Sequence, residues 1–327
     1  MFPKVNCLRS KTVEDFNNTA MNLPNFGSDS PSANTLLDHD GYGVLWGPVV
    51  DGVVVPDLPA KVGVRVASVF GSTTNEGAIF VLGQYMANVF NLNQSSYDEF
   101  LTDNFGSYAS LVNTTYALAN FSNSVFAAMS EVMTDYGYKC PARRGLLGAK
   151  PGVPVYAYTY NHTLSCTWLA GVPQAALPLI GATHTSELPL VFGDFENLAG
   201  ANCSLNATER ALSRYIQDAW TSMAASKNPG SGWPQYSASA PNGIIFNDNA
   251  TVGKVDYSGC DFWDQLNLQI RQTAANQANG SQTAPPNSTA TSTAPGAGKT
   301  NDGARASAWS AQFISFVAVV GLLLLQC

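Results

Sequence analysis

Charge is scarce in this sequence. Only 12% of its 327 residues are Asp, Glu, Lys or Arg, about half of the roughly 25% usual for a globular chain. Another kind of group must therefore keep the surface hydrated. Basic residues are the scarcer sign, 16 against 23 acidic, for a net charge of -7, which excludes the cationic footprint that nucleic acid or an anionic lipid surface requires. Histidine is confined to His39, His162 and His184, and the six cysteines are irregularly spaced with no C-x-x-C pair. A zinc site or thiol redox motif has no support, and no cofactor is expected. The first residues, Met-Phe-Pro-Lys-Val-Asn-Cys, lack the apolar stretch and small-residue cleavage site of a secretory leader.

What is present points outside the cell. Apolar residues make up 45% and aromatics 11%, too hydrophobic for a disordered chain and enough for one large core. Asn-X-Ser/Thr sequons occur at Asn17, Asn93, Asn113, Asn120, Asn161, Asn202, Asn206, Asn249, Asn279 and Asn287, none with Pro in the middle. One sequon is noise, but this density implies secretion and N-glycans that supply the missing surface polarity. The cysteines then read as extracellular disulfides.

Residues 1–270 mix apolar runs with turns and helical patterns and are expected to form the globular domain. Residues 271–303 are built from Ala, Thr, Ser, Asn, Gly and Pro, a composition that cannot order itself by burial, and are expected to form a glycosylated stalk. The apolar run Phe313–Leu325, interrupted by Ser315, spans 13 residues, short of the roughly 20 needed to cross a bilayer. Small residues around Asn301, Asp302 and Gly303, a spacer from Ala304 to Gln312 and this short tail match the layout of a GPI-anchor signal. Residues 304–327 are expected to be removed, leaving the protein tethered to the membrane through Asn301. A tail-anchored helix would want a longer span and basic flanks.

Within the globular part, Val62–Phe70 and Val153–Tyr160 read as strands bounded by Gly or Pro. Ser96-Tyr-Asp-Glu99 reads as a capping box opening a helix, and Val125, Met129, Val132 and Met133 share a helical face. A helix is predicted over Glu209–Ser226, with Leu212, Tyr215, Ile216, Ala219, Trp220 and Met223 at spacings of three and four and Asn228-Pro229-Gly230 as its stop. Tyr215 and Trp220 are expected to pack in the core. Strands separated by helices imply an α/β fold with a mainly parallel sheet, whose functional groups lie on loops at the carboxyl ends of strands.

Two such loops carry chemistry. Gly71-Ser-Thr-Thr-Asn-Glu76-Gly77 follows the first strand, and Gly181-Ala-Thr-His184-Thr-Ser-Glu187 follows the second. A carboxylate that accepts the Nδ1 proton of an imidazole fixes its tautomer and stabilises the imidazolium formed during acyl transfer, a role open to Glu76 and His184. Taken singly, each has a plainer reading: Glu76 as a solvated carboxylate and His184 as a structural histidine. Glu187, three residues past the histidine, is equally consistent with a substrate-gorge or ion-pairing role and with a structural one. His162 lies in the sequon Asn161-His162-Thr163 and is expected to be exposed.

With these loops, residues 5–265 resemble the type-B carboxylesterase and cholinesterase family of α/β-hydrolases. Trp46-Gly-Pro-Val-Val-Asp51-Gly52 resembles the family's P-x-x-D-G segment, Gly71–Gly77 its acid loop, Gly-Ala-Thr-His184 its histidine, Trp220 and Asn228-Pro229 to Trp233-Pro234 its late helix and exit, and Cys260-Asp-Phe-Trp263 its closing cysteine segment. The resemblance implies an α/β-hydrolase fold represented by its C-terminal portion, Glu76 as triad acid and His184 as general base and then acid. It also implies a Cys140–Cys260 disulfide, while proximity around the histidine loop points to Cys166 with Cys203. Closing the Cys140–Cys260 loop is expected to contribute about 4–5 kcal/mol on the chain-entropy model.

Three departures stand out. Thr185 follows the histidine where the family usually has Gly. No G-x-S-x-G occurs in the sequence, so the serine nucleophile and its oxyanion loop are absent from this chain. Cys7 has no upstream cysteine to pair with. Together with the missing leader, these lead us to expect a C-terminal half, inert alone, of a glycosylated surface esterase acting on small-molecule or lipid esters. The alternative is a non-catalytic cholinesterase-like adhesion module of the same fold.

Overall fold

The computed structural model describes residues 10–15, 51–57, 59–169, 171–193, 204–230 and 232–280. By compactness the chain divides into two units, Trp46–Asp264 and a second built from Met1–Leu45 with Gln265–Cys327. In the second unit, Thr12 and Asp15 cap each other: the Thr12 N–H donates to Asp15 Oδ2 at 3.0 Å and the Asp15 N–H to Thr12 Oγ1 at 3.1 Å.

The first unit is organised on a four-stranded sheet in the order β1-β2-β3-β4, formed by β1 (Ser68–Thr73), β2 (Val155–Tyr160), β3 (Asn242–Phe246) and β4 (Ala250–Lys254). β1 to β3 run parallel and β4 returns antiparallel on β3, which makes the sheet mainly parallel as expected. Around it lie α1 (Ala78–Tyr85), α2 (Gln94–Phe105), α3 (Ala109–Thr115), α4 (Val125–Thr134), α5 (Cys140–Leu147), α6 (Leu188–Phe192), α7 (Ala207–Ser226) and α8 (Cys260–Gly280). α8 runs on from the first unit into the second. No helix among the described residues is long and apolar enough to cross a membrane.

The strand period of two decides what each sheet face buries. Val155 and Ala157 of β2 pack with Leu146 of α5, Tyr236 and Val255, with Phe70 and Ile245 against them. Tyr158 and Phe246 point the other way and meet the Trp220 ring of α7 at 5.5 and 6.4 Å, and Trp233 lies beside them, tilted to Trp220 and edge-on to Phe246. Trp233 also donates its indole N–H to the Ala157 carbonyl at 3.0 Å. On this face lies a pocket of about 320 Å³ lined by Val69, Phe70, Gly71, Tyr158, Trp220 and Met223.

Local rules place several boundaries differently from the sequence reading. β1 starts at Ser68, not Val62, and continues to Thr73 because Gly71, Ser72 and Thr73 still pair with Tyr158, Thr159 and Tyr160; Val64 makes only an isolated bridge to Ala149. α2 starts at Gln94, with Asn93 as its cap: Asn93 Oδ1 accepts the Ser96 N–H and Ser96 Oγ accepts the Asn93 N–H. Ser96 is therefore the third helical residue of the box, and Glu99 lies further inside. α7 is opened in the same way by Asn206 and Glu209 and closed by Lys227 in a left-handed conformation. Tyr215, expected in the core, is 39% exposed. It sits at the edge of the apolar face, with its ring 6.1 Å from that of Phe246.

Cys140 and Cys260 are joined, crosslinking the starts of α5 and α8 across a separation of 120 residues. Arg143 reinforces the junction by pairing with Asp261 at 2.6 Å and Asp264 at 3.3 Å, and Arg144 pairs with Asp264 at 3.0 Å. Beside it the buried Trp263 indole donates to Tyr116 Oη at 2.7 Å, and Tyr116 donates to Asp135 Oδ2 at 2.7 Å. Lys139 pairs with Asp135 and with Glu131. Cys166 is also disulfide-bonded. Its expected partner Cys203, Cys7, the sequons at Asn17, Asn202 and Asn287, and the attachment residue Asn301 lie outside the described residues.

Candidate functional site

The site is assembled where β1 and β2 end. Beyond Thr73 the backbone keeps hydrogen-bonding for two residues, the Thr74 N–H to the Tyr160 carbonyl at 2.9 Å and the Asn75 N–H to the Ala182 carbonyl at 2.9 Å. Asn75 and Thr183 thus form a short parallel bridge that brings the two loops together. Glu76 follows directly, and Gly77 turns the chain into α1. A Cβ on Gly77 would meet the Ser130 carbonyl of α4 at 2.2 Å, so only glycine allows this approach. The Gly77 and Ile79 N–H groups at the start of α1 are satisfied by Thr134 Oγ1 and Thr183 Oγ1, both at 3.0 Å. Gly181, which opens the histidine loop, has φ +58° and lies against Asn75.

Within this frame Glu76 Oε1 accepts the Thr73 N–H at 2.8 Å and Glu76 Oε2 lies 2.6 Å from His184 Nδ1. The carboxylate is 5% exposed, while the imidazole keeps 28% of its side chain accessible. The ring is flanked by Tyr138 and Phe80, at centroid distances of 4.8 and 5.3 Å. A carboxylate held this way keeps the proton on Nδ1 and leaves Nε2 with its lone pair. Nε2 makes no hydrogen bond among the described residues. Chemically, the arrangement can take a proton at Nε2 and stabilise the resulting imidazolium.

The residues after the histidine are unusual. Thr185 has φ +69°, a left-handed conformation that costs a β-branched residue about 1–2 kcal/mol. Its Oγ1 accepts the Trp168 indole N–H at 3.1 Å. Glu187 Oε2 is buried without a hydrogen bond among the described residues, as are Thr73 Oγ1, Tyr160 Oη and Ser186 Oγ. Burial, and then the charge of Glu76, push the Glu187 carboxyl up to about 7. None of this was readable from spacing: Thr134, Thr183, Tyr138 and Phe80 come from separate elements, and Trp168 carries no motif.

His162, expected to be exposed, is 7% exposed. Its Nδ1 lies 2.9 Å from Asp248 Oδ1 and its Nε2 3.5 Å from Glu209 Oε1. Glu209 is fully buried and also accepts from Ser165 N–H, Ser165 Oγ and Asn206 N–H at 2.6, 2.8 and 2.8 Å. These hydrogen bonds outweigh its burial and hold its carboxyl below the ordinary range. Of the sequon asparagines, Asn93, Asn120, Asn161, Asn206 and Asn249 are exposed and Asn113 is half-buried. Asn161 is already engaged: its amide donates to Asn247 Oδ1 at 2.7 Å and accepts from Thr74 Oγ1 at 2.8 Å. Asp51, in the P-x-x-D-G segment, has an Oδ1 that accepts the N–H groups of Val53, Val54 and Val55 at 2.8–2.9 Å. These bonds hold its carboxyl below the ordinary range. No group of three or more His, Cys, Asp or Glu side chains among the described residues is placed to hold a metal ion.

Comparison with known proteins matches residues 3–263 to the model of the Carboxylesterase family. The chain belongs to the carboxylesterase family. It is 27% identical to the Crystal protein of Dictyostelium discoideum over 61% of this chain and 34% of that protein. It is also 27% identical to Neuroligin-2 of Rattus norvegicus over 62% of this chain and 26% of that protein. A shorter match, 35% identical over 27% of this chain and 15% of the relative, is to Secreted lipase 5 of Gibberella zeae. The carboxylesterase-family chain thus spans about a quarter to a third of the length of the first two relatives.

Proposed function

We propose that this chain supplies the acid and the base of a serine carboxylic ester hydrolase, with Glu76 orienting His184 and His184 Nε2 acting as general base and then general acid through an acyl-enzyme cycle. The observation that carries the reading is the 2.6 Å contact between the buried Glu76 carboxylate and His184 Nδ1, on loops that leave adjacent parallel strands. Family membership and the relative named as a secreted lipase support it. A serine on a G-x-S-x-G turn and its oxyanion donors are needed to complete the cycle and do not occur in this sequence. By itself the chain is therefore inert. Hydrolysis of a nitrophenyl ester tests this: the whole protein from its source turns over, and residues 1–327 alone do not. Turnover by the isolated chain at an ordinary esterase rate would overturn the assignment.

The same reading places the protein outside the cell. The Cys140–Cys260 disulfide and the density of sequons support an extracellular domain over residues 1–270, with Cys166 paired to Cys203, a stalk after it and a GPI anchor joined to the Asn301 carboxyl as the Asn301–Asp302 bond is broken and the residues beyond it, the 304–327 spacer and tail included, are released. Release from intact cells by a phosphatidylinositol phospholipase tests the anchor, and full retention contradicts it. The similarity to Neuroligin-2 supports a second reading, a non-catalytic cholinesterase-like surface interaction module. A whole protein that is folded but inert toward esters would select that reading.

A further inference from the structure

We propose that Trp168 is a positioning residue for His184, acting through Thr185: its indole N–H holds Thr185 Oγ1 and so fixes the left-handed turn immediately after the histidine. The inference rests on the reading of His184 as the catalytic base. The chain must reverse direction between His184 and α6, and Thr185 makes that reversal at φ +69°, a conformation open to glycine and resisted by a branched Cβ. Within the loop the Leu188 N–H closes on the Thr185 carbonyl at 3.1 Å and the Ser186 N–H on the Thr183 carbonyl at 3.0 Å, so a shift at residue 185 propagates at once to the histidine backbone. The hydroxyl of Thr185 is the one feature that sets it apart from other branched residues here, and it is engaged by an indole that is itself only 7% exposed. Each group depends on the other: the buried N–H has no other acceptor among the described residues, and Thr185 has no other side-chain hydrogen bond to oppose its unfavourable backbone. Trp168 lies two residues beyond Cys166, which is disulfide-bonded, so the donor is carried on a covalently anchored segment.

The test reads the geometry of the histidine directly and needs no turnover. In the full chain, the Nδ1 proton shared by His184 and Glu76 is followed by NMR as a downfield resonance, assigned by its loss in His184→Ala, and its exchange with water is timed. Trp168→Phe and, separately, Thr185→Val are expected to speed that exchange about tenfold, as loss of one buried hydrogen bond implies. Thr185→Val keeps the Trp168 ring in place and removes only the acceptor, which guards against a misfolded Trp168 variant. Adding Thr185→Gly to Trp168→Phe is expected to restore slow exchange, because glycine holds the left-handed turn unaided. Rescue by glycine is a result that a purely packing role for Trp168 does not give. Exchange unchanged within about twofold in both single variants, or no rescue by glycine, overturns the inference while leaving the Glu76–His184 pair intact. Absence of the resonance from the unsubstituted chain overturns the pair itself.

Discussion

Two histidines in this protein meet a carboxylate through Nδ1 at nearly the same distance, His184 with Glu76 at 2.6 Å and His162 with Asp248 at 2.9 Å, yet their surroundings are inverted. At the first, the carboxylate is buried and the imidazole partly open; at the second, the imidazole is buried and the aspartate side chain 80% exposed. The second nitrogen separates them further. Nε2 of His162 faces Glu209, a carboxylate committed to capping α7, whereas Nε2 of His184 is uncommitted among the described residues. A short carboxylate–imidazole contact therefore does not mark an active site by itself. A buried, orienting carboxylate combined with a free second nitrogen does have the chemical form of a general base.

The largest expected effect separates the two histidines by activity. In the whole protein, His184→Ala lowers kcat about a million-fold, as loss of a triad histidine does, while His162→Ala leaves kcat essentially unchanged; steady-state ester hydrolysis measures both. Stability should show the opposite ranking around His162. Glu209→Ala removes the acceptor of the Ser165 N–H and of the Asn206 N–H, the latter being the side-chain half of the α7 capping box, and is expected to cost about 3 kcal/mol in urea unfolding.

Glu187 sharpens the comparison through pH. Its folded value of about 7 lies above the ordinary 4.5, so the fold favours the protonated form. That contribution is complete below about pH 4.5 and is lost as pH rises through 7. Glu187→Gln should therefore match the parent at pH 4 and exceed it by about 3 kcal/mol at pH 8. Equal stability of the two at both pH values would refute a neutral buried acid beside the site.

The carboxylates themselves give the smaller effects. Glu76→Ala leaves the Thr73 N–H and the His184 Nδ1 proton without their acceptor and is expected to cost about 2 kcal/mol. Asp248→Ala, at an exposed partner, is expected to cost less than about 0.5 kcal/mol. Equal costs would erase the distinction between the two pairs.

The features legible in the sequence were those carried by repetition and by loops at strand ends. The apolar period of α7 and the parallel strand β2 were readable because many residues vote for them. Glu76 stands just past the end of β1 at Thr73, whereas His184 comes well after β2 ends at Tyr160, beyond the short helix Leu177–Ile180; the pair and its role are legible through the two loop motifs and the family they resemble, not through strand position alone. Boundaries decided by a single hydrogen bond were less legible: Asn93, rather than Ser96, caps α2 because its amide oxygen reaches the Ser96 N–H, and β1 extends past Phe70 because β2 offers three more partners. His162 misleads because a sequon implies exposure, yet only Asn161 projects outward while the next residue turns into the protein. The left-handed turn at Thr185 and its buried donor Trp168 arise from long-range packing, which no local pattern encodes.

Reaction of the whole native protein with a fluorophosphonate probe, followed by mapping of the modified peptide, tests the account most directly, since only a serine activated by a base is labelled. One modified serine in a G-x-S-x-G segment is expected, with the label lost in His184→Ala and kept in His162→Ala. A folded protein that takes no label, or a label indifferent to His184, would contradict it.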